Sequence, residues 1–115
     1  MSAEKALYLR WINELWAGKP IAADIVSGDF AGHWPHRDVH GPEQLQAIVE
    51  ETHAMLSELE FTIEIEPFVA GDLVAARWIG TGATDTGPVR FTGNDILRVA
   101  DGRFVEYWVG TSTPS

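Results

Sequence analysis

The last third of the chain is the stretch that most narrows what it can fold into. Val89–Val99 and Phe104–Thr111 are two runs rich in β-branched and aromatic residues, separated by Ala100-Asp101-Gly102 and Arg103. An Asp-Gly pair between such runs is the strongest short-range signal for a β-hairpin, because both residues tolerate the positive φ of its turn. Side chains alternate faces along a strand. Val89, Phe91, Gly93, Asp95, Leu97 and Val99 therefore share one face, and Arg90, Thr92, Asn94 and Arg98 lie on the other. Asp95 is the lone carboxylic acid on the face that should be buried. In the second run Val105, Tyr107, Val109 and Thr111 share one parity, and Phe104, Glu106 and Trp108 the other.

Upstream, two further strands are expected, Phe61 to Val69 and Leu73 to Ala83. The turns hold Gly71-Asp72 and Asp85-Thr86-Gly87-Pro88, residues suited to tight reversals. Before them the period changes from two to about 3.6. Leu7, Trp11 and Leu15, with Tyr8, Ile12 and Trp16 alongside, form an apolar helical stripe. Ser2 is placed to cap this helix, Glu4 suits its first turn and Gly18 stops it. Pro20 opens a short second helix running through Ile25 and Val26 to Gly28. Residues 29–41 read as irregular, broken by Pro35 and two glycines, with a short edge strand from Phe30 to Trp34. Pro42 opens a third helix with Leu45, Ile48, Val49, Thr52, Leu56 and Leu59 on its inner stripe.

Helices first and strands afterwards make an α+β domain, and 115 residues suffice for one core. Glycines within the strands (Gly80, Gly82, Gly93) point to a bent, strongly twisted sheet. Such a sheet closed by helices makes a cone with a concave apolar pocket, the usual place for a ligand. The formal net charge of −9 lacks the basic footprint that nucleic acid or an anionic membrane would need. With no cysteine, disulfides and thiolate chemistry are excluded. No secretory leader or membrane-length apolar run is evident, so the cytoplasm is the expected location.

The order of elements, together with Val74-Ala75-Ala76-Arg77-Trp78, Asp95-Ile96-Leu97-Arg98-Val99, Asp101-Gly102-Arg103 and Glu106-Tyr107-Trp108, resembles the nuclear-transport-factor-2-like superfamily, and most closely its SnoaL-like branch, which contains polyketide cyclases. The resemblance implies a cone of three N-terminal helices on a curved, mainly antiparallel sheet, often dimerising through the outer sheet face. Asp95 falls where the related ketosteroid isomerases keep a protonated Asp; such an acid, held neutral by an apolar site, is a known pattern in those enzymes. The tyrosine that partners it there would fall near Trp11, and the general-base Asp near Trp34. SnoaL-type cyclases carry an acid/base Asp where this chain has Val109. The limonene-epoxide-hydrolase branch pairs an Arg with an Asp on the second strand; Arg77 matches, but Ile79 replaces the Asp.

The resulting expectation is a cofactor-independent isomerase or cyclase for an apolar substrate bearing a carbonyl or an epoxide. Asp95 would be the acid or hydrogen-bond donor, Tyr107 a neighbouring hydroxyl, and His33, beside Trp34, a base at the pocket mouth. Trp11, Trp34, His36, Phe91 and Val109 would contact substrate. His33, His36, Asp38 and His40 fit no regular metal-ligand spacing, so no metal is expected. The alternatives are a non-catalytic binder of an apolar molecule, or a protein-interaction subunit using the outer sheet face.

Overall fold

The computed structural model describes residues 2–112. Helix α1 spans Ala3–Arg10; Ser2 caps it by accepting a hydrogen bond from the Lys5 N–H at 3.1 Å. The helix continues through a π turn, Trp11–Leu15, whose Trp11, Ile12 and Leu15 are buried. Helix α2 is a single turn, Ala22–Ile25. Strands β1 (Val26–His33) and β2 (Asp38–His40) follow, then helix α3 (Gly41–Met55) and four long strands: β3 (Ser57–Ala70), β4 (Leu73–Thr84), β5 (Gly87–Ala100) and β6 (Arg103–Thr111). No helix among the described residues is long and apolar enough to cross a membrane.

The six strands form one sheet in the order β2-β1-β6-β5-β4-β3. All pairings are antiparallel except β1 with β6. The β5–β6 turn has the backbone its sequence foretells: Asp101 and Gly102 both take positive φ, +52° and +78°, as a tight right-twisting hairpin requires.

Three expectations are corrected. Only α1 and α2 lie N-terminal to the sheet; α3 follows the β1–β2 hairpin. The edge strand expected at Phe30–Trp34 is an interior strand that begins at Val26, because it lies between β2 and β6. Its Val26, Phe30 and Gly32 are buried, so the second helix stops before Gly28. The third helix also ends early. Leu56 is already extended, and β3 starts at Ser57, where pairing with Ala83 of β4 replaces another helical turn.

The inner face of β5 is the one the alternation gives: Gly93, Asp95 and Leu97 are buried, while Asn94 and Ile96 are exposed. In β6 strict alternation fails. Arg98 pairs with Glu106, and Val99 with Phe104, which leaves Val105 as an extra residue. This β-bulge turns both Phe104 and Tyr107 into the core, with exposures of 0% and 2%.

Candidate active site

The core between helices and sheet is unusually aromatic. Trp11 lies edge-on to Phe104, with ring centroids 5.6 Å apart, and tilts over Tyr107 at 4.8 Å. The ring of Trp34 also meets Tyr107, edge-on at 4.9 Å. Trp16 packs edge-on to Phe61 at 5.7 Å, and Phe61 in turn to Trp78 at 5.1 Å. Two glycines make room for these rings. A Cβ on Gly80 would sit 2.6 Å from the Phe91 ring, and one on Gly93 would collide with the Trp78 indole. Glycine is what permits this close approach on the concave side.

The rings enclose a cavity of about 120 Å³. Its walls are Trp11, Trp16, Trp34, Phe61, Trp78, Phe91 and Tyr107, with Ile12, Thr52, Val109 and Thr111 completing it and Asp95 at its polar end. Thr111 is exposed and Trp34, Thr52 and Val109 are partly so, which places the mouth among them.

Asp95 is the only buried charged residue among the described ones, with 1% exposure. Three donors converge on it. Tyr107 O–H donates to Oδ1 at 2.6 Å, Trp78 Nε1–H donates to the same oxygen at 3.0 Å, and Tyr8 O–H donates to Oδ2 at 2.9 Å. Among the described residues no lysine, arginine or histidine lines the cavity. Burial pushes the Asp95 carboxyl above its usual range. The hydrogen bonds from Tyr107, Trp78 and Tyr8 oppose that rise and do not cancel it. Burial and the neighbouring carboxylate raise both tyrosines in turn. The Trp11 indole N–H lies close enough to favour the ionised acid, but it lacks hydrogen-bonding geometry and has no partner among the described residues. A buried donor without a partner is costly, and this one belongs to a residue of the cavity wall.

The structure thus gathers Asp95, Tyr107, Trp11, Trp34, Phe91 and Val109 around one space. His33 and His36 are not part of it. His33 sits on the convex side of the sheet, beside Trp108. There its Nε2 meets Glu106 Oε2 at 2.8 Å and its Nδ1 meets Asp38 Oδ1 at 3.3 Å. The hydrogen bond to Glu106, with Asp38 adding to it, raises the histidine's pKa. Alternation along β1 accounts for the placement: Gly32 faces inward, so His33 faces out and Trp34 lies on the inner side again. Arg77 pairs with Glu64 at 2.5 Å, away from the cavity.

Tyr8 was not anticipated; the family resemblance puts the acid's phenolic partner near Trp11. Tyr8 lies three residues earlier on the same helical stripe, and a tyrosine on a core-facing stripe needs a partner for its hydroxyl. That need was the available signal.

A curled sheet closed by helices over an acid-bearing aromatic pocket defines the class of nuclear-transport-factor-2-like α+β proteins. Residues 8–107 match the SnoaL-like domain model, and the chain belongs to that family. Among solved structures it is similar to a candidate SnoaL-like polyketide cyclase from a Jannaschia species, with 22% identity, 96% of this chain and 85% of that one covered, and a TM-score of 0.85. A candidate polyketide cyclase from Bacillus cereus is 27% identical, with 92% and 72% covered and a TM-score of 0.82. A protein of ketosteroid isomerase-like fold from Catenulispora acidiphila, solved in complex with trimethylamine, is 20% identical, with 90% and 83% covered and a TM-score of 0.78. No curated protein matches the chain in sequence.

Proposed function

We propose that the chain is a cofactor-independent enzyme that moves a proton within a compact apolar carbonyl compound, with Asp95 as the proton carrier. The observation that carries this reading is the pairing of a buried, upshifted carboxyl with an unpartnered indole N–H on one apolar cavity. The Asp95 carboxylate takes a proton from the carbon beside the carbonyl. The C–H electron pair becomes the enolate, and the oxygen's charge falls to the Trp11 Nε1–H, a preorganised donor in a water-poor site. Asp95 then returns a proton to a different carbon, and between the two transfers its acidic proton exchanges with solvent. Raising the carboxyl toward neutral pH strengthens it as a base. Tyr107 and Tyr8 orient it. One carrier suffices because isomerisation neither consumes nor releases a proton overall.

Cavity size favours isomerisation over cyclisation of a long polyketide. Pockets for drug-sized ligands run to about 300–1,000 Å³, and an apolar cavity of about 150 Å³ holds benzene. At about 120 Å³, the space suits a small ring or short chain. Proton exchange at the α-carbon of small cyclic enones, followed by NMR in D₂O, tests the reading. Asp95→Asn should abolish it, and Trp11→Phe should slow it roughly 10²-fold. Unchanged exchange in Asp95→Asn would refute it.

A second reading, a non-catalytic binder, is favoured by the cavity's having only one carboxyl and no histidine. The trimethylamine held by the Catenulispora neighbour is a molecule of the size this cavity admits. Under either reading a second copy packs on the convex sheet face. The row Phe68, Ala75, Ile96 and Trp108 crosses four strands there, and Phe68 and Ile96 are exposed. Sedimentation at micromolar concentration tests this.

A further inference from the structure

The three partners around Asp95 can hold it as an ion, and the described residues of the cavity supply no counter-ion. A protonated acid has one oxygen that is a poor acceptor, whereas an ionised carboxylate accepts at both. Here Oδ1 accepts two hydrogen bonds and Oδ2 a third. The carboxylate accepts all three, while the protonated acid meets the same distances only by giving its proton to a tyrosine oxygen. Yet no basic side chain among the described residues lines the cavity, and buried charges are ordinarily paired. The remaining wall is almost wholly aromatic. Aromatic faces carry negative potential and attract cations, most strongly alkylated ammonium ions that have little hydration to lose.

We propose that the cavity is a receptor for a small alkylammonium group, with Asp95 as its counter-ion and the rings of Trp11, Trp34, Trp78, Phe91 and Tyr107 as its cage. The inference rests on the second reading, that this cavity binds a guest without turnover, and it adds the charge of the guest. In a tertiary ammonium the single N–H points at Asp95, and the methyl groups meet the ring faces. The volume admits trimethylammonium or tetramethylammonium whole; a longer substituent extends toward Thr111 and the mouth. The groups facing Asp95 are Tyr8 from α1, Trp11 from the π turn, Trp78 from β4 and Tyr107 from β6. None carries positive charge, so the guest alone supplies it. By linkage the guest then binds more tightly as Asp95 ionises, and its affinity rises with pH through the acid's raised pKa.

Four tryptophans line the cavity, so intrinsic fluorescence reports occupancy. Titrations of the full chain with tetramethylammonium, trimethylammonium and tert-butanol, a neutral guest of like size, test the proposal. Both cations should bind about 10-fold or more tighter than tert-butanol. Asp95→Asn should weaken both cations about 10-fold or more relative to tert-butanol, which loses at most one hydrogen bond. Should that variant not fold, a pH series on the unaltered chain decides: tetramethylammonium keeps its charge at every pH, so its affinity should climb with Asp95 ionisation more steeply than that of tert-butanol. Equal binding of cations and alcohol, or a pH-independent cation affinity, overturns the proposal. Enone exchange that depends on Asp95 without cation binding sinks this inference and leaves the enzyme reading standing. Cation binding without any Asp95-dependent exchange does the reverse.

Discussion

The two faces of the β5–β6 hairpin hold carboxylates in opposite circumstances. On the concave side Asp95 is enclosed, meets neutral donors only and is pushed toward its protonated form. On the convex side Glu106 and Asp38 flank His33, and Glu106 also lies 3.6 Å from Arg98 Nε. Arg98 in turn pairs with Asp72 at 2.9 Å. The convex charges are numerous, paired and screened by water; the concave charge is single and unscreened. Surface ion pairs contribute little, since water already solvates their members. A buried acid couples strongly to whatever neighbours it has. One acid in the dry interior therefore carries more chemical leverage than the whole chain of ions outside.

The largest effect expected from this contrast is that of Asp95→Leu. It strands the hydroxyls of Tyr8 and Tyr107 and the Trp78 indole N–H, each a buried donor worth about 1–3 kcal/mol when left unpaired. Removing a desolvated acid offsets part of that, and a net loss of roughly 3 kcal/mol is expected in urea unfolding. A variant as stable as the parent at pH 7 would show that the donors find other partners. The acid's raised pKa also fixes a sign. The folded chain holds the Asp95 proton more tightly than the unfolded chain, so this contribution is full below about pH 4 and fades as pH rises through the folded pKa. Asp95→Asn should flatten that slope.

Gly93→Ala comes next. The new methyl group meets the Trp78 indole on the concave face, and overpacking of this kind costs about 1–3 kcal/mol. It should also tilt the Trp78 N–H away from Asp95, visible as a shift of that indole proton in NMR. An unmoved resonance would mean that β5 bends instead. The smallest effect belongs to the convex face. Glu106→Gln should lower the His33 pKa, read from imidazole shifts across a pH titration. Stability should change by under about 0.5 kcal/mol, because the pair is largely solvated. The sign is again set by a raised value: the histidine's contribution is complete below its ordinary pKa of 6.5 and lost as pH climbs through the folded one. A loss of several kcal/mol here would erase the distinction between the faces.

The same contrast separates what could be read in the sequence from what could not. The inward aim of Asp95 follows from alternation over Val89–Val99, since a two-residue period leaves no choice once its neighbours must be buried. Trp11 and Trp34 as walls came with the helical stripe and the family resemblance. Tyr8 was hidden because a helical stripe gives a face and not a partner, and Phe104 because a bulge at Val105 breaks the parity that otherwise assigns it outside. The histidines misled for a related reason. Proximity in sequence to Trp34 placed His33 near the pocket, whereas adjacent residues on a strand point to opposite sides of it.

The π turn at Trp11–Leu15 has its own consequence. It is a helix with a surplus residue wound into one coil. Excising a residue inside that coil would leave an ordinary helix with its flanks still in phase, whereas excising one at Leu9 or Arg10 would swivel everything upstream by about 100° about the helix axis. The Tyr8 phenol would then face away from Asp95, and an aliphatic neighbour would take its place. Small changes in reading length at this spot would alter the chemistry of the interior without touching the sheet at all.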